Sequence, residues 1–86
     1  MVEEIQKIID KYDPIDLYPG HMTPENEYDI EAKIIAEEYY TVSDLNTFTK
    51  DMENLFISSF SESVTDLKKI KRMSIDLFNY LSSLKK

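Results

Sequence analysis

The chain has 86 residues, of which 17 are acidic and 10 are basic, and its net charge is −7. This length suits one domain, so we predict a single helical domain over residues 1–86. The absence of cysteine excludes a disulfide framework and a thiolate metal site, and the acidic balance argues against nucleic acid and for basic partners.

The sequence also favours a cytoplasmic protein with no membrane contact. Glu3 and Glu4 stand in the N-terminal region, where a signal peptide would have an apolar stretch. No segment approaches the roughly 20 apolar residues that a membrane-spanning helix needs. We therefore expect the chain to work in a reducing compartment, which the lack of cysteine fits.

Residues 3–12 have the periodicity of a first helix. Its apolar residues fall on one face, at positions i, i+3, i+4 and i+7: Ile5, Ile8, Ile9 and Tyr12. Pro14 fixes its own φ and disfavours helical backbone in the residue before it, so we expect the helix to end at Tyr12.

The segment 13–23 is predicted to be a long ordered loop between the first two helices. Pro19 followed by Gly20 is typical of a turn. Thr23 as N-cap and Pro24 at the first helical position predict the start of the next helix. The residues expected to anchor this loop are Asp13, Pro14, Thr23, Pro24, Glu27 and Tyr28.

The second helix is predicted to run over residues 24–40. One face of it carries the apolar residues Tyr28, Ala32, Ile35 and Tyr39. Ile30 and Ile34 would widen this face to nearly half of the circumference. A helix with so broad an apolar face should touch two neighbours, so we expect the second helix to lie centrally.

Two further helices complete the prediction. The third should cover residues 44–60 with Ser43 as its N-cap, and the fourth residues 64–84 with Ser63 as its N-cap. The phenylalanines of the third helix should dominate the core. Short breaks between the second, third and fourth helices predict antiparallel neighbours. The expected fold class is all-α, a small three- to four-helix bundle.

Charge is distributed unevenly along the chain. Residues 1–66 contain 16 acids and 4 bases, a net charge of −12, whereas residues 67–86 contain 1 acid and 6 bases, a net charge of +5. One interpretation is that the basic last helix lies against acidic neighbours within the domain. The other is a polarised surface whose acidic side meets a cationic partner.

Glu27 and Glu31 share one face of the predicted second helix. We expect one of them to accept hydrogen bonds from backbone N–H groups of the loop, because an unpaired buried amide costs about 1–3 kcal/mol. Replacing Glu27 by alanine should then lower the melting temperature by several degrees. A weaker alternative gives a binding role to Tyr18, His21, Glu27, Tyr28 and Glu31.

A family resemblance rests on the same part of the chain. Asp13-Pro14-Ile15, a loop with Pro and Gly, the sequence Pro-Glu-Asn-Glu-Tyr at 24–28 and Glu31 together resemble the signature of the small bacterial YugE-like family. Asn26 stands where that family usually has Asp. The resemblance implies an all-α fold and a bacterial origin, and it supplies no activity. The loop and helix are also similar to those of some bacterial toxin-immunity proteins.

The sequence contains no recognisable catalytic constellation, because the lone His21 has no identifiable nucleophile to activate. The acids near the loop lack the order of a calcium-binding loop, so neither metal nor cofactor is expected. We therefore expect a non-catalytic protein-interaction module whose acidic face binds another, basic protein. Alternatives are an immunity protein that neutralises a basic toxin, a small-ligand or enzymatic site between the 13–23 loop and the second helix, and self-association into a homo-oligomer.

Overall fold

The part of the chain that the computed structural model describes comprises residues 1–15, 28–63 and 65–84, and it contains four α-helices and no strand. The helices are Val2–Tyr12 (α1), Asp29–Ile34 (α2), Leu45–Phe60 (α3) and Leu67–Leu84 (α4). This confirms the predicted all-α class and the small helical bundle. The loop predicted at 13–23 falls mostly outside the described residues.

The first helix ends where the sequence predicts, and Asp13 forms its C-cap. The backbone of Asp13 is left-handed (φ 45°, ψ 63°), and its N–H donates to the carbonyl of Ile9 at 2.9 Å. Aspartate visits this conformation more readily than most residues do. Ile5 and Ile9 are fully buried, and Ile8 and Tyr12 pack against the same core, which confirms the predicted apolar face.

The second helix is short and changes into a wider helix. Tyr28 precedes α2 with non-helical angles (φ −104°, ψ 17°), so the regular helix begins at Asp29. The predicted start at Thr23 and Pro24 lies outside the described residues. From Ile35 to Tyr39 the backbone is π-helical. In a π-helix the backbone N–H of a residue donates to the carbonyl five residues earlier.

The apolar face of this second helix is narrower than predicted. Tyr28, Ala32 and Ile35 are fully buried and Tyr39 is half-buried, as their common face predicts. The expectation that Ile30 belongs to the same face is wrong: its side chain is 67% exposed. The reason is geometric, because two residues after Tyr28 the helix has turned by about 200°.

The third helix begins one residue later than predicted, with a different cap. Asp44 has extended backbone, and its carboxylate accepts a hydrogen bond from the N–H of Thr47 at 2.9 Å. Asp44 is therefore the N-cap, and the assignment of that role to Ser43 was wrong. A carboxylate adds a favourable interaction with the helix dipole that a serine hydroxyl lacks.

The fourth helix begins at residue 67 instead of 64, again because an aspartate takes the capping role. Asp66 Oδ1 accepts from the N–H groups of Lys68 at 3.0 Å and Lys69 at 3.3 Å. The predicted cap, Ser63, instead shares a hydrogen bond with the hydroxyl of Ser61 at 3.1 Å. The sequence places both serine and aspartate near the helix start, and the charged acceptor prevails.

The bundle is arranged around α1 and α4 rather than α2. α1 packs against both α2 and α4, and α4 packs in turn against α3, which corrects the expectation of a central second helix. Phe48 near the start of α3 meets Phe78 in the second half of α4, with ring centroids 5.7 Å apart, so these helices are antiparallel. The ring of Tyr28 packs against Phe56 and Phe60 of α3, with ring centroids 6.1 Å and 6.0 Å apart.

Candidate functional site

The corner at the end of α1 is tied to two other elements by hydrogen bonds. The Tyr28 hydroxyl donates to Asp13 Oδ1 at 2.7 Å, and Lys69 Nζ donates to the backbone carbonyl of Asp13 at 3.3 Å. The N–H of Asp66 donates to the carbonyl of Pro14 at 2.8 Å. Because the backbone of Asp13 is left-handed, its carboxylate lies within reach of the Tyr28 hydroxyl and its carbonyl within reach of Lys69. We call these five residues the Asp13 corner.

Among the residues that sequence reasoning selected, the structure brings Asp13, Pro14 and Tyr28 together in this corner. Tyr28 is fully buried, and Glu31 one turn later is only 6% exposed. Burial of both side chains fits an anchoring role better than direct contact with a partner. The other selected residues lie outside the described part of the chain, and their roles stay predictions: Tyr18, His21, Thr23, Pro24 and Glu27.

A second connection, which the sequence did not reveal, joins α1 to α4. The hydroxyl of Tyr12 donates to Asp76 Oδ2, and Lys11 Nζ lies 3.7 Å from the same oxygen. The hydrogen bond to Asp76, then burial and the negative charge of Asp76, raise the pKa of Tyr12 above its usual range, while Arg72 acts weakly in the opposite sense. A separation of 64 residues leaves no local pattern from which to predict this pair.

Acidic side chains of two elements act on a tyrosine at the end of the π-helical segment. Glu37 and Glu38 are exposed, and Tyr39 beside them is half-buried. Burial, Asp51 of α3 and Glu38 together raise the pKa of Tyr39, in that order of importance, so both carboxylates act on one phenol. We call Glu37, Glu38, Tyr39 and Asp51 the acidic tyrosine surface.

The π-helical turn determines how this surface is presented. A π-helical turn holds one more residue than an α-helical turn and rotates the following side chains relative to those before it. Such turns occur frequently at functional sites. The run Glu37-Glu38-Tyr39-Tyr40 is the part of the sequence that could have indicated this surface. The effect of Asp51 on Tyr39 depends on the tertiary fold and has no local sequence signal.

Three of the basic residues of α4 do not follow the first interpretation of the charge distribution, whereas Lys69 reaches the carbonyl of Asp13. Lys68, Lys71 and Arg72 are exposed, and within residues 1–15, 28–63 and 65–84 no ion pair joins them to an acid. The ion pairs found there instead join Lys7 to Glu4, Lys33 to Asp29 and Lys11 to Asp76. These three cations of α4 are therefore not neutralised by contacts with described acids.

The described residues hold neither a candidate metal site nor a helix able to span a membrane. No set of three His, Cys, Asp or Glu side chains is grouped there in a way that could hold a metal ion. None of the described helices combines the length and apolar character needed to cross a membrane.

Comparison of the chain with protein-family models, with curated proteins and with solved structures finds no match. The resemblance to the YugE-like family stays a prediction.

Proposed function

We propose that this chain is a cytoplasmic, non-catalytic interaction module that binds a basic protein through the acidic tyrosine surface. The observation that supports this most is that Glu38 and Asp51, from different elements, both raise the pKa of the half-buried Tyr39 phenol. A basic toxin, neutralised as by an immunity protein, is a concrete version of such a partner.

The chemistry of the surface suits a lysine or arginine side chain. A cation over an exposed tyrosine ring gains about 0.5–1 kcal/mol. Hydrogen bonds from the same cation to Glu38 or Asp51 would be charge-assisted and stronger than neutral ones. The net charge of −7 would accelerate encounter with a positively charged protein, and added salt would weaken that effect.

The small-ligand alternative has less support. It would use Tyr28, but the ring of Tyr28 is fully buried between helices and its hydroxyl donates to Asp13. A ligand would have to displace the Asp13 corner in order to reach it.

A binding experiment with a matched control tests the proposed function. Immobilised wild type and a Glu38→Gln/Asp51→Asn variant are compared for capture of basic proteins from host extract, with Glu3→Gln/Glu4→Gln as control. Both variants lose two negative charges, and Glu3 and Glu4 are exposed on α1, outside the acidic tyrosine surface. We expect a partner that the control retains, the site variant loses, and added salt releases. Equal capture by both variants would refute the assignment of this surface.

A further inference from the structure

The outer surface of α4 combines positive charge with exposed apolar side chains. Lys68, Lys71, Arg72 and Ile75 are exposed and stand at positions i, i+3, i+4 and i+7, so they share one face of the helix. Ile75 is 46% exposed, and Leu67 one turn before Lys71 is 37% exposed. The opposite side of the helix, with Ile70 and Leu77 among others, is fully buried.

This face borders a groove between α3 and α4 with a volume of about 660 Å³. The groove is lined by Leu45, Asn46, Thr49, Lys50, Glu53, Lys71 and Ile75. Leu45 and Ile75 supply its apolar parts, while Lys50 on α3 and Lys71 on α4 supply a cation from each helix. The single acid in the lining, Glu53, is outnumbered by these two bases.

The cations are placed where they weaken the isolated helix. Lys68 and Lys71 lie in the first two turns of α4, where the helix dipole disfavours positive charge. Lys68 is also three residues from Lys71 and four from Arg72, and like charges at these spacings repel by a few tenths of a kcal/mol per pair. No ion pair with the described residues offsets this repulsion.

We propose that the α3–α4 groove binds an acidic amphipathic helical segment of a partner protein. Its apolar side chains would contact Leu45 and Ile75, and its carboxylates would pair with Lys50, Lys71 and the neighbouring cations of α4. Such helix-in-groove binding uses apolar anchors at helical spacing within a charged margin. The groove lining shares no residue with the acidic tyrosine surface and selects the opposite charge, so the proposal stands independently of the proposed function.

Two other occupants fit the observations less well. Nucleic acid would use the cations but not Ile75 and Leu45, and the net charge of −7 would repel it at long range. A second copy of this chain would have to offer an acidic amphipathic helix. α1 carries Lys7 and Lys11 among its acids on the exposed side, and the acids of the acidic tyrosine surface are divided between a five-residue π-helical segment and α3.

Labelled synthetic peptides provide the probe. A panel of 18-residue peptides (about five helical turns) would carry leucines at i, i+3, i+4 and i+7 on glutamate-rich helices. Two control peptides would have the same composition in scrambled order, or lysine in place of every glutamate. Fluorescence anisotropy measures binding, and shifts of backbone amide resonances locate it. We expect the acidic amphipathic peptides to bind and to shift resonances of Leu45, Thr49, Lys71 and Ile75.

Protein variants make the test specific. Lys71→Glu and Ile75→Gln should each weaken binding by on the order of tenfold, because one reverses a contacting charge and the other removes an apolar contact. Lys7→Glu makes the same charge change on α1, at an exposed position, and should leave the affinity within about twofold. Circular dichroism of each variant verifies that the helices are retained.

Five outcomes would overturn the proposal. The first three are the absence of binding by every acidic peptide up to about 1 mM, equal binding of the scrambled peptides, and resonance shifts confined to other surfaces. The fourth is a preference for labelled duplex DNA or RNA over the acidic peptides at the same salt concentration. Concentration-dependent self-association that Ile75→Gln abolishes would likewise overturn it in favour of a second copy of the chain.

Discussion

The backbone conformation of Asp13 determines how the end of α1 meets the rest of the bundle. A left-handed conformation costs an L-residue roughly 1–2 kcal/mol. At Asp13 two hydrogen bonds offset this cost. The Tyr28 hydroxyl donates to the Asp13 carboxylate, and the Lys69 ammonium donates to the Asp13 carbonyl. The corner therefore links α1 to the residue before α2 and to the first turn of α4 at one point.

Removing the Tyr28 hydroxyl should measure the strength of this link. In Tyr28→Phe the ring can keep its packing on Phe56 and Phe60, while the hydrogen bond to Asp13 is lost. Hydrogen bonds to charged groups contribute about 1.5–3 kcal/mol to stability. Because this one is only partly buried, we expect Tyr28→Phe to lower the free energy of unfolding by about 1–2 kcal/mol. Urea denaturation measures the loss.

Tyr80→Phe is the matched control for that variant. Tyr80 is half-buried, and its hydroxyl has no hydrogen-bond partner among the described residues. Its removal should change the free energy of unfolding by less than about 0.5 kcal/mol. Equal effects of the two substitutions would mean that the Asp13 corner does not anchor the chain.

The Tyr12–Asp76 contact should make stability depend on pH in the alkaline range. Asp76 and burial hold the pKa of Tyr12 above the ordinary 10.0, so the folded state retains the phenolic proton longer than the unfolded state does. The resulting stability is fully present below pH 10.0 and is lost as the pH rises through the folded pKa. In Tyr12→Phe this dependence is absent, so the difference in unfolding free energy between wild type and variant should shrink above pH 10.0.

Chemical denaturation across that pH range gives the two curves. Tyr39, whose pKa is also raised, is present in both proteins and so cancels from the difference. A difference that stays constant above pH 10.0 would show that Tyr12 titrates normally.

Among the elements, α1, α3 and α4 and their C-terminal ends were predictable from the sequence, and the starts of α3 and α4 were not. The faces of α1 and α3 follow directly from residues three and four apart. The starts of α3 and α4 were misassigned because serine and aspartate both cap helices, and which one does so depends on the backbone angles of each residue. Ile30 shows a second limit, since an isoleucine in a helical sequence is not necessarily on the buried face.

The candidate surfaces show where sequence information ends. The end of α1 at Asp13 and Pro14 was predictable, because proline disfavours helical backbone in the residue before it. The left-handed backbone of Asp13 was not. The meeting of Asp51 with Tyr39 and the groove beside Ile75 depend on how helices pack, which the spacing of residues within one helix does not determine.

The cap of α3 gives a prediction at this scale. Hydrogen bonds from the backbone N–H and side chain of Thr47 lower the pKa of Asp44, so the folded state favours the carboxylate. Its contribution is therefore present above the ordinary value of 3.8 and is lost as the pH falls through the folded pKa. Asp44→Ala should lower the melting temperature at neutral pH, and this difference should shrink in acid.

Ser43→Ala is the control, because Ser43 is exposed and precedes the cap. Thermal unfolding followed by circular dichroism should show almost no change for it. A larger loss from Ser43→Ala than from Asp44→Ala would restore the cap that the sequence first suggested.

On the scale of the whole molecule, one group of acids and one group of cations lie on different elements. The acids of the π-helical segment and α3 gather near Tyr39, while three cations stand on the outer face of α4. Contact between oppositely charged groups would stabilise the monomer, yet Lys68, Lys71 and Arg72 form no ion pair with the described acids. Separated charge of this kind is useful for recognition of partners and costs some stability.

Reversing the charge of Lys68 should therefore stabilise the protein, although the net charge becomes two units more negative. Glutamate in the first turn of α4 interacts favourably with the helix dipole and attracts Lys71 and Arg72 at i+3 and i+4, a gain of about 0.5 kcal/mol. Repulsion from distant acids is weaker, because charges beyond about 8 Å are screened at physiological salt. Lys7→Glu makes the same net change but breaks the pair with Glu4 and should destabilise slightly. Urea denaturation measures both variants. If Lys68→Glu and Lys7→Glu are destabilised equally, net charge governs stability rather than local placement, and the cations of α4 then behave like other surface lysines.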